Sequence, residues 1–236
     1  MRLFCFSFAG GTAHFFYPLE QCLNLSVNVT KLEYAGHGTR RKEPFYSNFE
    51  TLAQDLYGLI RQTVMDGEPY GLFGYSMGSV ALMEVMKTIV TNQEIELPCH
   101  VFLAAHNPSV KAEKELTRSE PETLDKNIKE RIIRLGSIPE KLIQNQSFWR
   151  TYLPIYRTDY MLLGRYDFEG LQLISQVPAT VFYSETDTPF TDMIKWNRYF
   201  VNPCEFIEYE GNHFFIQQYC QEIADIIEER LFPYGV

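Results

Sequence analysis

The sequence predicts an α/β fold, a mostly parallel central sheet with helices on both faces. Three observations predict it. From Arg2 to Ala105, short apolar runs alternate with segments of helical character in the order β-α-β-α-β-α-β. The strand-like runs are almost continuously apolar, as strands covered on both faces are. One of them feeds the stretch Phe73-Gly74-Tyr75-Ser76-Met77-Gly78, a small-residue turn that leads straight into a helix.

The elements follow in order. Arg2 to Phe8 reads as a buried strand, followed by the loop Ala9-Gly10-Gly11-Thr12-Ala13 and an apolar segment from His14 to Leu25. Val27 to Tyr34 alternates as a second strand. Phe49, Leu52, Ala53, Leu56, Leu59, Ile60 and Val64 keep a helix period. Tyr70–Phe73 is the third strand, a helix runs to about Val90, and Val101–Ala105 is the fourth. From Lys111 to about Tyr166 strand signals stop, and Leu124, Ile128, Ile132 and Leu135 fall at helix spacing. That stretch reads as a helical insertion. Strands return at Pro178–Tyr183 and Cys204–Tyr209. A helix carrying Met193, Ile194, Trp196 and Tyr199 lies between them, and a C-terminal helix ends near Leu231. The expectation is one domain over residues 1–236 with an insertion at about 111–166.

Composition narrows the functional classes. The 236 residues suffice for one large domain, with 45% hydrophobic and 22% charged residues. A net charge of −9 and a pI near 5.1 argue against a nucleic-acid partner. No apolar run reaches membrane-spanning length, so no membrane partner is expected. The opening Met1-Arg2-Leu3-Phe4-Cys5-Phe6 runs directly into a strand without a signal-peptide pattern, and a cytoplasmic location is expected. Cys5, Cys22, Cys99, Cys204 and Cys220 are scattered without CxxC pairs, which argues against a disulfide framework or a zinc site. No metal and no cofactor are expected, and the chain is expected to be a monomer.

Strand, G-x-S-x-G, helix is the context of a nucleophile elbow, in which a sharp turn aims a serine out of the top of the sheet. Side chains at Gly74 or Gly78 would meet the neighbouring strand or helix. Ser76 needs a base, and the base needs a third group to hold one tautomer. In the α/β-hydrolase fold these arrive as Ser, acid, His, each after a strand. His213 follows the last strand, whereas His14, His37, His100 and His106 come too early. Asp187 follows the penultimate strand and precedes Thr188-Pro189, with Glu185 and Asp192 as neighbours. One N–H of the loop after the first strand, from Ala9 or Gly10, would join that of Met77 in an oxyanion hole.

Longer stretches carry a resemblance. They are Phe6–Gly11, Tyr34-Ala35-Gly36-His37-Gly38-Thr39-Arg40 with Glu43-Pro44, and Leu72–Gly78. They continue with Arg134-Leu135-Gly136-Ser137-Ile138-Pro139, Leu153-Pro154-Ile155-Tyr156-Arg157-Thr158-Asp159-Tyr160 and Gly211–Phe215. On these the chain resembles the type II (editing) thioesterases of nonribosomal peptide and polyketide synthesis, which are close to medium-chain thioesterases of animal fatty acid synthase. The resemblance implies Ser76 as nucleophile, Asp187 as acid and His213 as base. It implies hydrolysis of acyl or aminoacyl groups from the phosphopantetheine arm of an acyl or peptidyl carrier protein. Tyr75 stands where the family usually has His, and is expected to bear on the approach to Ser76. Ser184 stands where Gly is usual, which loosens the alignment around Asp187, and Gly-Asn-His replaces the frequent Gly-Gly-His.

The insertion is expected to be a lid whose apolar face lines an acyl pocket. Between Lys111 and Lys141 it holds eight basic and seven acidic residues, on a chain otherwise acidic. These bases, Arg131 and Arg134 among them, with Arg40, Arg41 and Lys42, are expected to dock an acidic carrier protein. The competing readings are medium-chain acyl release from a fatty acid synthase, a general carboxylesterase, an acyltransferase and a non-catalytic synthetase-binding scaffold.

Overall fold

The structure, a computed structural model, describes residues 1–64, 67–136 and 138–232. Ser137, in one of the insertion motifs, and residues 65–66 and 233–236 of the expected domain lie outside the described residues.

Six strands form one sheet: β1 (Arg2–Phe6), β2 (Asn28–Leu32), β3 (Tyr70–Tyr75), β4 (His100–Ala104), β5 (Ala179–Tyr183) and β6 (Glu205–Glu208). Their spatial order is β2-β1-β3-β4-β5-β6, and every pairing is parallel. The sheet expected to be mostly parallel is wholly so among the described residues. Parallel neighbours need crossovers, which the helices supply. In chain order these are α1 (Tyr17–Cys22), α2 (Phe49–Val64), α3 (Met77–Asn92), α4 (Lys111–Thr117), α5 (Pro121–Leu135), α6 (Glu140–Ile143), α7 (Gln146–Arg165), α8 (Phe190–Met193) and α9 (Cys220–Leu231).

The period of two along each strand divides the core. Phe4, Phe6, Leu72 and Leu103 face α2, α3 and the insertion. Leu3, Cys5, Phe73, Tyr75 and Phe102 face α1 and α9. On that second face Phe73, Phe102 and Phe182 form a ladder across three strands, with ring centroids 6.3 and 6.2 Å apart. The helical stripe of α2 is buried as its spacing predicts, except Leu59, which stays 37% exposed at its margin.

Three of the differences from the expected elements have a local cause. β1 stops at Phe6 rather than Phe8, because the chain turns there, with Gly11 N–H donating to the Phe8 carbonyl at 2.9 Å. The helix expected through Tyr199 is short α8 followed by a 3-10 turn at Ile194–Tyr199. The C-terminal helix starts at Cys220, after a 3-10 turn at Phe215–Gln217. Phe214, Phe215 and Ile216 are consecutive and all buried, which one face of an α-helix cannot accommodate.

Helices α4 to α7 form the insertion between β4 and β5. Ile128, Ile132, Trp149, Leu153, Tyr156 and Tyr160 join the α2–α3 core. The outer surface carries ion pairs such as Arg157 with Asp125, where Arg157 Nε donates at 2.7 Å. The cysteines are free, yet Cys22 and Cys220, at facing ends of α1 and α9, bring their thiols to 3.0 Å. Among the described residues no helix is long and apolar enough to cross a membrane.

The strand order reverses between β1 and β3: the chain leaves β1 for β2, then returns past β1 to build the rest of the sheet. Such a switch point opens a crevice at the carboxyl ends of the two strands, where ligands of parallel sheets bind. Ala9 lies beyond the end of β1 and Ser76 immediately beyond β3.

Candidate active site

β3 ends in a turn too tight for a side chain at Gly74 or Gly78, two residues to either side of Ser76. The serine backbone has φ 54° and ψ −121°, which L-residues rarely adopt. A Cβ on Gly74 would lie 2.5 Å from the Gly78 carbonyl oxygen, and one on Gly78 would lie 2.0 Å from that of Phe6. Both obstacles are backbone, so no rotamer change relieves them. The turn is held from below: Ser76 N–H donates to the Ala104 carbonyl at 2.8 Å, and Ser79 Oγ donates to that of Gly74 at 2.9 Å. Met77 is the first residue of α3, so its N–H is one of the free donors of a helix start.

The structure brings the three residues expected from sequence together. His213 Nε2 lies 2.9 Å from Ser76 Oγ, and His213 Nδ1 lies 2.8 Å from Asp187 Oδ2. They come from three loops at one edge of the sheet, after β3, β5 and β6. The competing carboxylates are engaged elsewhere. Glu185 accepts from the Phe190 N–H at 2.8 Å, and Asp192 pairs with Lys195. Of the other histidines, His14 stacks on Tyr17 and His100 lies 2.9 Å from Thr180 Oγ1. His106 lines the same cleft as Ser76, but its Nδ1 is turned to the Asn107 carbonyl.

Two of the three departures from the family pattern, Tyr75 and Ser184, acquire explicit roles. Tyr75 is fully buried on the α1–α9 face, away from the approach to Ser76 that it was expected to shape. Its hydroxyl donates to the His213 carbonyl at 2.7 Å, so it carries the loop of the base from below. Successive strand residues point to opposite faces, and this puts the residue before Ser76 under the sheet. Ser184 Oγ donates to the Gly211 carbonyl at 2.6 Å, and Thr186 Oγ1 does the same at 2.6 Å. The serine that loosened the alignment thus stitches the Asp187 loop to the His213 loop.

A second buried cluster sits behind the loop after β1. Gly10 N–H donates to Asp159 Oδ2 at 2.6 Å, and the same oxygen lies 2.9 Å from His37 Nε2. His37 Nδ1 is 3.1 Å from the Ala35 carbonyl. Burial disfavours a charged imidazole, but the carboxylate and its hydrogen bond outweigh burial, so His37 holds its proton above the usual histidine range. Gly10 N–H is committed to Asp159, whereas Ala9, the other candidate donor of this loop, lines the cleft with Ser76. Sequence reasoning quoted both Asp159 and His37 within motifs but gave neither a role. The available signal was a carboxylate on the apolar stripe of α7, beside Tyr156 and Tyr160.

The cleft over Ser76 has a volume of about 790 Å³. Its insertion wall was expected to be apolar. Leu135 and Leu163 do line it, but so do Glu113, Arg131 and Tyr160. Arg131 was expected on a docking surface. It is half-buried, and its Nη2 donates to Glu113 Oε1 at 2.6 Å. Arg40, from the second basic stretch, is likewise engaged, its Nη1 donating to Asp55 Oδ2 at 2.7 Å. A guanidinium fork pairs readily with a carboxylate of its own chain, which local charge counts do not reveal. Arg134 remains exposed at the cleft. Among the described residues no group of three or more His, Cys, Asp or Glu side chains could hold a metal ion.

Known proteins agree with this geometry. The family model described as "Thioesterase domain" matches residues 1–231. Thioesterase PikA5 of Streptomyces venezuelae is 24% identical, over 98% of this chain and 81% of its own length. The gramicidin S biosynthesis protein GrsT of Aneurinibacillus migulanus is 24% identical, over 98% of this chain and 89% of its own. In three dimensions ClbQ, from the colibactin NRPS/PKS pathway, shares the fold with a TM-score of 0.86 at 23% identity, covering 98% of this chain and 96% of ClbQ. A match over nearly the whole chain, on a fold that seats a serine, a histidine and an aspartate in hydrogen-bonded series, gives the assignment: the chain belongs to the thioesterase family, and its reaction is thioester hydrolysis.

Proposed function

We propose that this protein hydrolyses acyl or aminoacyl thioesters from the phosphopantetheine arm of carrier proteins, clearing stalled nonribosomal peptide or polyketide synthetases. The observation that carries the chemical part is the series Ser76 Oγ, His213, Asp187 at the base of the cleft. The carrier-bound substrate rests on relatives such as GrsT, a gramicidin S biosynthesis protein, and ClbQ, from an NRPS/PKS pathway.

In this reading Ser76 Oγ attacks the thioester carbonyl carbon while His213 Nε2 takes its proton. Asp187 holds the opposite ring nitrogen and stabilises the imidazolium. The N–H groups of Ala9 and Met77 receive the oxyanion. As the C–S bond breaks, His213 returns the proton to sulfur and the pantetheine thiol leaves an acyl group on Ser76. Water, deprotonated by His213, then releases the acid and restores Ser76. Residues 1–236 act as one domain, and the insertion at about 111–166 acts as a lid that excludes bulk water. Exposed Arg134, with Lys111 also lining the cleft, offers positive charge to an acidic carrier.

The test is single-turnover hydrolysis of an acyl group on a carrier protein. Ser76→Ala is expected to lower the rate by about 10³-fold or more. An unchanged rate in the variant would refute the mechanism.

A further inference from the structure

The insertion wall of the cleft presents a charge pair where a hydrocarbon chain would need hydrocarbon. Glu113, on α4, is only 5% exposed, and its carboxylate accepts from Arg131, on α5. The Arg131 guanidinium carbon lies 5.9 Å from the centre of the Tyr160 ring, from α7. Three helices therefore converge on one guanidinium. Its Nε is shielded from solvent and has no hydrogen-bond partner among the described residues. Glu113, Arg131 and Tyr160 line the same cleft as Ser76 and His213, and Arg131 is near enough to Asp187 for the two charges to interact.

The chemistry of such a wall is selective. An alkyl chain laid against it would cover the pair and offer the exposed part of the guanidinium nothing to bond. An oxygen on the acyl group would give a guanidinium N–H that still faces the cleft an acceptor while Glu113 keeps hold of Nη2. The Tyr160 ring beside the guanidinium limits how the group can turn.

We infer that Arg131, oriented by Glu113 and Tyr160, is a specificity-determining residue that selects short acyl groups bearing a hydrogen-bond-accepting oxygen beyond the thioester carbonyl, in preference to hydrocarbon chains. This deepens the proposed function and rests on it. It assigns Arg131 to acyl recognition, whereas its place in the sequence suggested carrier docking.

The test compares kcat/KM for 3-hydroxybutyryl, butyryl and octanoyl thioesters of N-acetylcysteamine, which carries no protein and so removes docking from the readout. The native enzyme is expected to prefer 3-hydroxybutyryl over butyryl by about tenfold or more, with octanoyl slowest. Replacing the pair with apolar residues, Glu113→Leu with Arg131→Met, is a change that buried ion pairs often tolerate. It is expected to bring the hydroxy preference to within about twofold of unity and to raise octanoyl turnover. Arg131→Lys keeps the charge beside Glu113 but loses the planar fork, and is expected to lose most of the preference. Comparing ratios between variants cancels the intrinsic reactivity of each thioester. A native preference for butyryl or octanoyl, or an unchanged ratio in both variants, would overturn the inference. No turnover of any thioester by the native enzyme would overturn both the inference and the hydrolase reading beneath it.

Discussion

The two walls of the cleft are built on different principles. The sheet wall is held by backbone: the strained Ser76 turn wedged against Phe6 and Gly78, and the Gly211 carbonyl gripped by two hydroxyls. The insertion wall is held by long side chains: Arg131 on Glu113 inside, Arg157 on Asp125 outside. Backbone contacts in a packed parallel sheet leave little freedom, so the proposed nucleophile, base and acid stand at fixed separations. Ion pairs between helices can be exchanged at small cost in stability, so substrate preference can change without disturbing the chemistry. The comparison assigns reactivity to one wall and selectivity to the other.

Asp159 joins the two walls, and its removal should have the largest effect. Asp159→Ala leaves His37 buried without its carboxylate and the Gly10 N–H without an acceptor. A loss of about 3–5 kcal/mol in urea unfolding is expected, with kcat falling as well. A loss below about 1 kcal/mol would show that the walls are independent.

Acid should strain the sheet side next. His100, the first residue of β4, with its ring against Thr180 of β5, has its pKa pushed down to about 4 by burial, with the Arg230 charge adding to the effect. Its unfolded value is about 6.5, so between these values the unfolded chain binds the proton more readily. The stabilisation is complete above about pH 6.5 and is lost as pH falls toward 4, up to about 3 kcal/mol in all. Thermal melts of the native protein and of His100→Phe across this range should converge in slope if another group controls the transition.

Tyr75→Phe should have a smaller effect, about 1 kcal/mol, because it removes one buried hydrogen bond while keeping the ring. A fall in kcat of a few-fold without a change in KM would show that the His213 loop depends on support from beneath the sheet. Smallest of all, Arg157→Ala opens an exposed pair on the insertion and should cost no more than about 0.5 kcal/mol. A larger cost in a chemical melt would mean that this outer pair holds the insertion helices together more firmly than exposed ion pairs do.

The sequence disclosed whatever is written locally. Strand and helix order, the α2 stripe, the elbow glycines and the sequence of Ser76, Asp187 and His213 all depend on spacings within one element or on order along the chain. Pairings set by how helices dock were hidden. His37 and Asp159 stand 122 residues apart, and no periodicity announces their meeting. Arg131 sits on a helix full of charges, where solvation is the ordinary fate of a guanidinium, and only the approach of α4 buries it against Glu113. Tyr75 was legible as an oddity, but its side of the sheet followed from a strand that ran two residues beyond Phe73.

The bond from Gly10 to Asp159 has a consequence for regulation of turnover. Two adjacent N–H groups follow β1, and α7 neutralises one of them by occupying it. The active loop is therefore defined by subtraction, and the subtracting group belongs to the insertion. Were α7 to lift, Gly10 would be released to compete with Ala9, and the oxyanion site would lose its single geometry. On the proposed assignment of Ala9 to the oxyanion hole and of the insertion to a lid, seating of the lid and readiness of the serine would be linked equilibria, and a substrate that held the lid down would raise the competent fraction of the enzyme.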